Sequence, residues 1–516
     1  MLKNFDTYIS TMKPSHELFK LIQSLTKSEK RFFKLTSSLQ SGDKNYIKIF
    51  DYIERQENYD EEELKDYFKN ERFIAHLPSE KNHLYKLILK SLRMFYGEQS
   101  VNSQLQQEIK NVEILYQKAL FSECHKIIKK SKKIAQEHEK FYYLFELIAW
   151  EKKLLEESYE SGDFEFDLDQ LIAEEETVIA KLRNLAEYQV LYSKINYIFR
   201  SGGFSRNDDE KAIVDGIADY HLIKGKNTAL STRATSICYY IKGLCSATNR
   251  EYQDSFVFFK RVISILDENP KIKADLTKRY LSAQAHLIRC YIDIKDFQSA
   301  KDIIETLENS QDEPGFQSVD MQVRLYAVST GYHLILLNAQ GKFWEALGYI
   351  GETEKNHALY ADKLTKEQRL IFAYHTAYAH FGCGQFKQAM KVLNELINDN
   401  ETMLRQDIYS FARVLNMFIH YELDNQSLLT YHINSTKRIL SKSDRNYEIE
   451  SYLIESIQRL NRVQTKSERL EHFQNMKKDI ETMMKDHREK VILEYFDLGL
   501  WIDAKLNGLT MNEMLK

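Results

Sequence analysis

In SEKNHLYKLILKSLRMFY, Leu84, Leu87, Ile88, Leu92 and Phe95 fall three or four residues apart, which places them on one face of a helix. Polar residues upstream mark helix starts. In LTKSEKRFFKL, the Thr26 hydroxyl and the Glu29 carboxylate are spaced to satisfy each other's backbone donors, which predicts a helix beginning near Lys27. Asp60 and Glu63 in YDEEELKDYFK repeat the device. The first hundred residues therefore predict three or four short helices around a small core. From about Leu105 the apolar runs lengthen, and EILYQKALFSECHKIIKKSKKIAQEHEKFYYLFELIAWEKKLLEE reads as a helix, a tight turn near Ala119, a second helix and a third. The glycines of RSGGFSRNDDEK, Gly202 and Gly203, predict a loop. Near the far end, Leu470, Phe473, Ile480, Met483, Val491, Phe496, Leu500 and Trp501 form one broad stripe, expected to be a helix pair that closes the last hydrophobic face, with dimerisation as its rival.

Between about Arg233 and Asn400 the pattern repeats. GLCSATNREYQDSFVFF, LIRCYIDIKDFQSAKDII, LILLNAQGKFWEALGYI and AYAHFGCGQFKQAMKVL each carry an aromatic residue followed three positions later by a small one: Tyr252 and Ser255, Phe297 and Ala300, Phe343 and Ala346, Phe386 and Ala389. Successive aromatics are 45, 46 and 43 residues apart. A near-constant period of this size is the mark of stacked helical hairpins. The bulky ring after the turn fills the gap between helices, and the small residue lets two backbones approach.

This region resembles the tetratricopeptide repeat (TPR) family: Gly243 and Ala377 match its small first-helix position, Gly341 and Gly384 its turn, and Phe259, Ile304, Ile350 and Leu393 its later apolar site. A weaker unit surrounds Phe121 and Cys124. The period exceeds the roughly 34 residues of the standard repeat, so longer helices or connections are expected. The whole chain is also similar to long TPR-like bacterial proteins with an EKRFFKL-type helical N-terminus, a likeness that brings no activity with it. The resemblance implies an all-α fold, a right-handed superhelix of stacked antiparallel hairpins (a TPR-like α-solenoid) after a small helical N-terminal domain. The expected divisions are a small domain over 1–100, degenerate hairpins over 101–200, a loop and linking helix over 201–230, repeats over 231–400, and degenerate repeats with capping helices over 401–516. Overlaying the repeats on the family places Tyr240, Arg289, Asn338, Tyr374 and Tyr378 on the concave face that binds proteins or peptides.

Composition narrows the reading. With 43% hydrophobic and 29% charged residues, the 516-residue chain is neither disordered nor collagen-like, and its 4 prolines and 17 glycines are too few for a sandwich or barrel. A net charge of −4 supplies no global field for nucleic acid. Five scattered cysteines without a C-x-x-C pair exclude a disulfide framework and a zinc ribbon, and read as reduced core residues. No apolar stretch suits a signal peptide or a membrane span, so the expected location is the cytoplasm, with no membrane partner.

Candidate chemistry is sparse. No catalytic signature is present, and neither a cofactor nor a metal is expected; His375, His380 and Cys383 lie near one another, but a five-residue step does not align the two histidines on one face. Cys124 beside His125 points a different way from its neighbour and reads as core. Lys126, Lys129, Lys130 and Lys133 with the N-terminal Lys27, Lys30, Arg31 and Lys34 are candidate phosphate or nucleic-acid contacts, weighed against solvated helix faces. Two functions follow. The first is a non-enzymatic scaffold or adaptor that binds a protein or peptide in the groove; the alternative is a peptide- or ligand-sensing regulator whose N-terminal domain binds nucleic acid.

Overall fold

The computed structural model describes residues 14–38, 45–97, 100–160, 168–202, 205, 207–398, 404–440, 447–486 and 489–515. All regular structure among them is helical, and no helix is long and apolar enough to cross a membrane. Contacts divide the chain into two units, Met1–Ile172 and Ala173–Lys516. Gly202 belongs to the helix before it, and Gly203, the other half of the expected loop, lies outside the described residues.

In the first unit, α1 (Pro14–Ser24), α2 (Lys27–Ser38), α3 (Asn45–Arg55), α4 (Glu61–Tyr67) and α5 (Leu77–Phe95) enclose Leu18, Ile22, Phe33, Phe50, Ile53, Leu84 and Ile88. The start of α2 is set by the predicted reciprocal cap: Thr26 N donates to Glu29 Oε2 at 2.5 Å, and Glu29 N donates to Thr26 Oγ1 at 3.3 Å. At α4, Asp60 Oδ1 accepts from Glu62 N at 2.9 Å and Glu63 N at 3.0 Å. Beyond them α6 (Val101–Gln117), α7 (Phe121–Glu137) and α8 (Phe141–Glu160) pack each on the next.

The boundary falls within α9 (Leu168–Gly202), most of which belongs to the second unit, and α10 (Asp208–Ala218) and α11 (His221–Lys224) follow. Hairpins follow: α12 (Thr232–Thr248) with α13 (Tyr252–Asp267), then, after the short α14 (Pro270–Asp275), α15 (Thr277–Asp293) with α16 (Phe297–Glu308). Next come α17 (Val319–Ala339) with α18 (Phe343–Tyr360), α19 (Lys366–Gly382) with α20 (Phe386–Ile397), and α21 (Gln406–Glu422) with α22 (Gln426–Leu440). The chain closes with α23 (Glu448–Leu460), α24 (Lys466–Met483), α25 (Leu498–Asn507) and α26 (Met511–Met514). From α15 to α21 each first helix touches its own second helix and the first helix of the next hairpin, and α13, α16, α18 and α20 each touch the first helix that follows. Neighbours therefore bury faces that no hairpin buries alone.

One turn geometry recurs. Ala119, Arg250, Lys295, Gly341, Gly384 and Asp424 all take left-handed φ, between 55° and 75°, two residues before a second helix begins. In each case the next residue's N–H returns to a carbonyl five positions back, as in Glu251 to Ser246 at 2.8 Å and Lys342 to Leu337 at 2.9 Å. This is the αL cap that reverses a helix in the fewest residues. Only two of the six sites use glycine, which explains why most of these turns carry no breaker signal.

The aromatic and small positions separate in role. Ser255, Ala300, Ala346 and Ala389 are all buried, and Ser255 Oγ donates to the Gly243 carbonyl at 3.4 Å across the α12–α13 crossing. Phe343 is wholly buried, whereas Tyr252, Phe297 and Phe386 are half-buried. The ring of Phe343 packs against Gly382 in the next hairpin, so it fills the seam between hairpins as well as the gap within its own.

The C-terminal stripe differs from the expected helix pair. Phe473, Ile480, Phe496 and Trp501 are buried as predicted, but α24 ends at Met483, Glu489–Glu494 forms a 3-10 turn, and α25 starts only at Leu498. Burial of polar as well as apolar groups on this connection overrides helical periodicity.

Candidate binding face

The first helices α12, α15, α17, α19 and α21, together with α9, present a charged layer inside the second unit. Arg405, at the mouth of α21 with left-handed φ of 52°, donates its backbone N–H to the Arg200 carbonyl at 3.2 Å. Its guanidinium grips Asp407 at 2.7 and 3.0 Å, reaches Glu367 at 3.3 Å and touches the Tyr495 hydroxyl at 3.3 Å. Arg200 pairs with the same Glu367, and the Tyr495 hydroxyl donates to Asp407. Farther along, Arg289 lies 2.9 Å from Asp293 and 3.2 Å from Glu494, while the Tyr252 hydroxyl donates to Glu494 at 3.2 Å. Burial pushes the carboxyls of Asp293 and Glu494 upward, and Arg289 offsets only part of that. The His375 ring, buried and facing Arg289 and Arg405, is pulled down to about 3, mainly by burial, and is neutral at pH 7.

Much of this layer contacts the chain's own connection from Glu489 to Asp497. Glu489 accepts from Glu448 N at 3.1 Å and Ile449 N at 2.7 Å, capping α23. Tyr495 stacks on Phe411 with centroids 4.4 Å apart, and Phe496 meets Phe381 and Phe418 at 5.4 and 4.9 Å. An intramolecular segment thus runs along the first helices.

The family overlay places five residues on the concave face, and in the structure each of them meets another part of the same chain. Tyr374 is 1% exposed and donates to the Tyr495 carbonyl at 3.0 Å; Tyr378 accepts from Asp497 N at 3.0 Å. Asn338 is buried and donates to the His375 carbonyl at 2.9 Å, and Tyr240 is buried edge-on to Phe259, 5.6 Å between centroids. Arg289 is held by Glu494 of the same segment. All five lie on the first helices as expected, but self-contacts occupy them, which repeat spacing cannot reveal.

The open part of the face lies elsewhere. Tyr192, Asn196, Tyr197 and Arg200 of α9, with Leu404, line a cleft of about 430 Å³. No family model, characterised protein or solved structure matches the chain. Sequence reading missed Arg200, Arg279, Glu367, Arg405 and Asp407, yet a signal exists for part of this set: Arg233, Arg279, Arg324 and Arg369 follow one another at 46, 45 and 45 residues, the period of the aromatics. Each lies within the first half of a first helix.

The other candidates resolve separately. In the first unit Lys30 lies 3.3 Å from Glu54, Lys34 lies 2.8 Å from Asp51 and 2.9 Å from Glu54, Lys126 lies 2.8 Å from Glu123 and Lys130 lies 4.0 Å from Glu108. Lys27, Arg31, Lys129 and Lys133 are exposed. Carboxylates thus neutralise half of the proposed phosphate contacts. Cys124 is buried, its thiol pushed up by burial and directed at the Val112 carbonyl at 3.5 Å. His380 Nδ1 lies 2.7 Å from Gln385 Oε1, and among the described residues no group of His, Cys, Asp or Glu has metal-holding geometry.

Proposed function

We propose that the second unit is a TPR-like, right-handed superhelix and that the chain is a non-enzymatic scaffold binding a protein or peptide along its inner face. The ordered hairpin contacts and the recurring αL turn support the superhelix. One observation carries the binding role: charged side chains are kept along consecutive first helices at enclosed positions that still reach solvent. Arg405, Glu367 and Arg233 retain 19%, 17% and 13% side-chain exposure. A face used only for stacking would be apolar, because desolvating such groups costs more than their pairing returns. A polar, partly hydrated face beside an open cleft suits recognition of a polypeptide, with Tyr192 and Tyr197 supplying amphipathic contact surface.

The test uses the full chain as bait in native lysate, beside Tyr197→Glu and Asn196→Arg, which alter the cleft without touching the buried layer. A partner retained by the wild type and lost by both variants is the expected result. Enrichment of nothing, or of the same set by all three, would sink the assignment. The regulator alternative rests on Lys27, Arg31, Lys129 and Lys133; a low-salt gel shift that their charge-reversed variants abolish would favour it over the scaffold.

A further inference from the structure

The long helix α9 is apolar on two opposite sides. Over residues 173–202, which belong to the second unit, Tyr188, Leu191, Ile195 and Ile198 are buried in the core of that unit. The Tyr188 hydroxyl donates to the Leu222 carbonyl at 2.9 Å, and Phe199 stands edge-on to His286 at 5.2 Å. On the other side Ile179, Val190 and Tyr197 are 47%, 55% and 62% exposed, with Ala186 exposed between them. At about 100° per residue, steps of seven, four and seven bring these four positions within about 40° of one another, along about 27 Å of helix. Apolar residues on all sides of a helix are the mark of one that is covered on all sides, so the outer stripe calls for a cover.

The order of residues along the stripe matches its own reverse. Turned end for end about position 188, Ile179 falls opposite Tyr197, Ala186 opposite Val190, Arg183 opposite Ser193, and Glu176 opposite Arg200. Successive positions in this set are three and four residues apart in alternation, the spacing of a seam between two helices. Size is complementary too, because Ala186 leaves room for Val190 and Ser193 for the longer Arg183. Arg183 lies 3.1 Å from Glu187 of its own helix, so its charge is matched within the seam. Glu174, Glu175 and Glu176 gather at one end, Lys194 and Arg200 at the other. Parallel pairing would set like charge against like; antiparallel pairing sets each end against its opposite. A second copy supplies this pattern in reverse, as a two-fold interface requires.

We propose that the outer face of α9 pairs antiparallel with the same face of a second copy of this chain, giving a two-fold homodimer centred beside position 188. The pairing goes beyond the scaffold reading. Tyr197 belongs to both surfaces, but Ile179 and Val190 line no part of the cleft, so variants at these two positions test the pairing separately from the cleft. One helix face of this length lies at the low end of interface sizes, and a dissociation constant of about 1 to 100 μM is expected.

Sedimentation equilibrium on the full chain across that range tests the pairing. The wild type is expected to pass from monomer to dimer. Ile179→Glu and Val190→Glu are each expected to weaken association at least about tenfold, and Glu176→Lys about threefold. Both glutamates would point to solvent in the monomer, so an unchanged circular dichroism spectrum is expected to accompany the loss. Orientation is read by disulfide formation. A mixture of Ala186→Cys and Val190→Cys is expected to link chain to chain, whereas Ala186→Cys alone is not, since its two copies are offset by about 6 Å along the axis in addition to the gap between helices. The chain's own cysteines are buried or half-buried, and the wild type serves as the blank. Unchanged association in both glutamate variants, or self-linking of Ala186→Cys in place of the mixed link, overturns the proposal. A monomer at every concentration also overturns it; if Ile179→Glu then loses a lysate protein that the wild type retains, the face belongs to a different chain.

Discussion

Replacing glycine by alanine at two helix positions has opposite expected signs. A Cβ at Gly382 would stand 2.3 to 2.5 Å from three ring carbons of Phe343, a side chain that is wholly buried. Ordinary contact needs about 3.4 to 4 Å, so the ring must retreat by roughly 1 Å or more against Tyr378, whose ring centroid is 5.5 Å away. Overpacking of this kind costs about 1 to 3 kcal/mol, against a helix-propensity gain of at most about 1 kcal/mol, which the terminal position of Gly382 reduces. Gly382→Ala is therefore expected to lose about 1 to 2 kcal/mol. Gly348 lies on the exposed face of α18 with nothing within 4 Å of its Cβ, so Gly348→Ala keeps the propensity term alone and gains about 0.5 to 1 kcal/mol. Equilibrium urea unfolding followed by circular dichroism reads both, with emission from Trp501 reporting on the core cluster that contains Phe343. Combining Gly382→Ala with Phe343→Leu should recover part of the loss, because a smaller side chain vacates the space. If Gly382→Ala were as stable as the wild type, or if both alanines moved stability the same way, the seam packing described for Phe343 would be wrong.

Acid should weaken the fold through His375. Its folded value of about 3 lies below the ordinary 6.5, so the stability it contributes is complete above about 6.5 and is lost as pH falls toward 3. At pH 5 the loss is about 2 kcal/mol, set mainly by titration of the unfolded ring, and His375→Gln should flatten the stability–pH slope between pH 7.5 and 5 by that amount; an unchanged slope contradicts the assignment. Tyr374→Phe leaves the buried Tyr495 carbonyl without its 3.0 Å donor and should cost about 1 to 3 kcal/mol in urea unfolding, with no effect if water replaces the hydroxyl. Lys295→Gly relieves left-handed φ of 63° at an exposed turn and should raise stability by about 0.5 kcal/mol; a loss would mean that the lysine side chain contributes more than the backbone relief.

The chain's local chemistry announces its helices. The Thr26 and Glu29 cap and the 45, 46 and 43-residue recurrence of aromatics rest on sequence spacing alone, and such signals survive whatever the rest of the chain does. The periodic arginines were legible in the same way, because one repeat places the same helix position on the same face.

Contacts between distant positions are another matter. That Glu494 reaches Arg289, that Tyr495 reaches Tyr374 and Asp407, and that these contacts occupy the expected groove residues depends on partners 88 to 205 residues apart in the chain. No local period records such pairings. Which partner an arginine meets likewise depends on what folding brings near it, so Arg233 and Arg279 share a sequence signature, yet one pairs with Asp275 and the other donates to the Ser236 hydroxyl. Sequence alone determined the helical elements and their repeat, since these arise from short-range geometry. Tertiary structure decided which part of the inner face is filled by the chain itself and which part opens as the cleft lined by Tyr192 and Arg200, because burial and pairing are properties of the assembled fold.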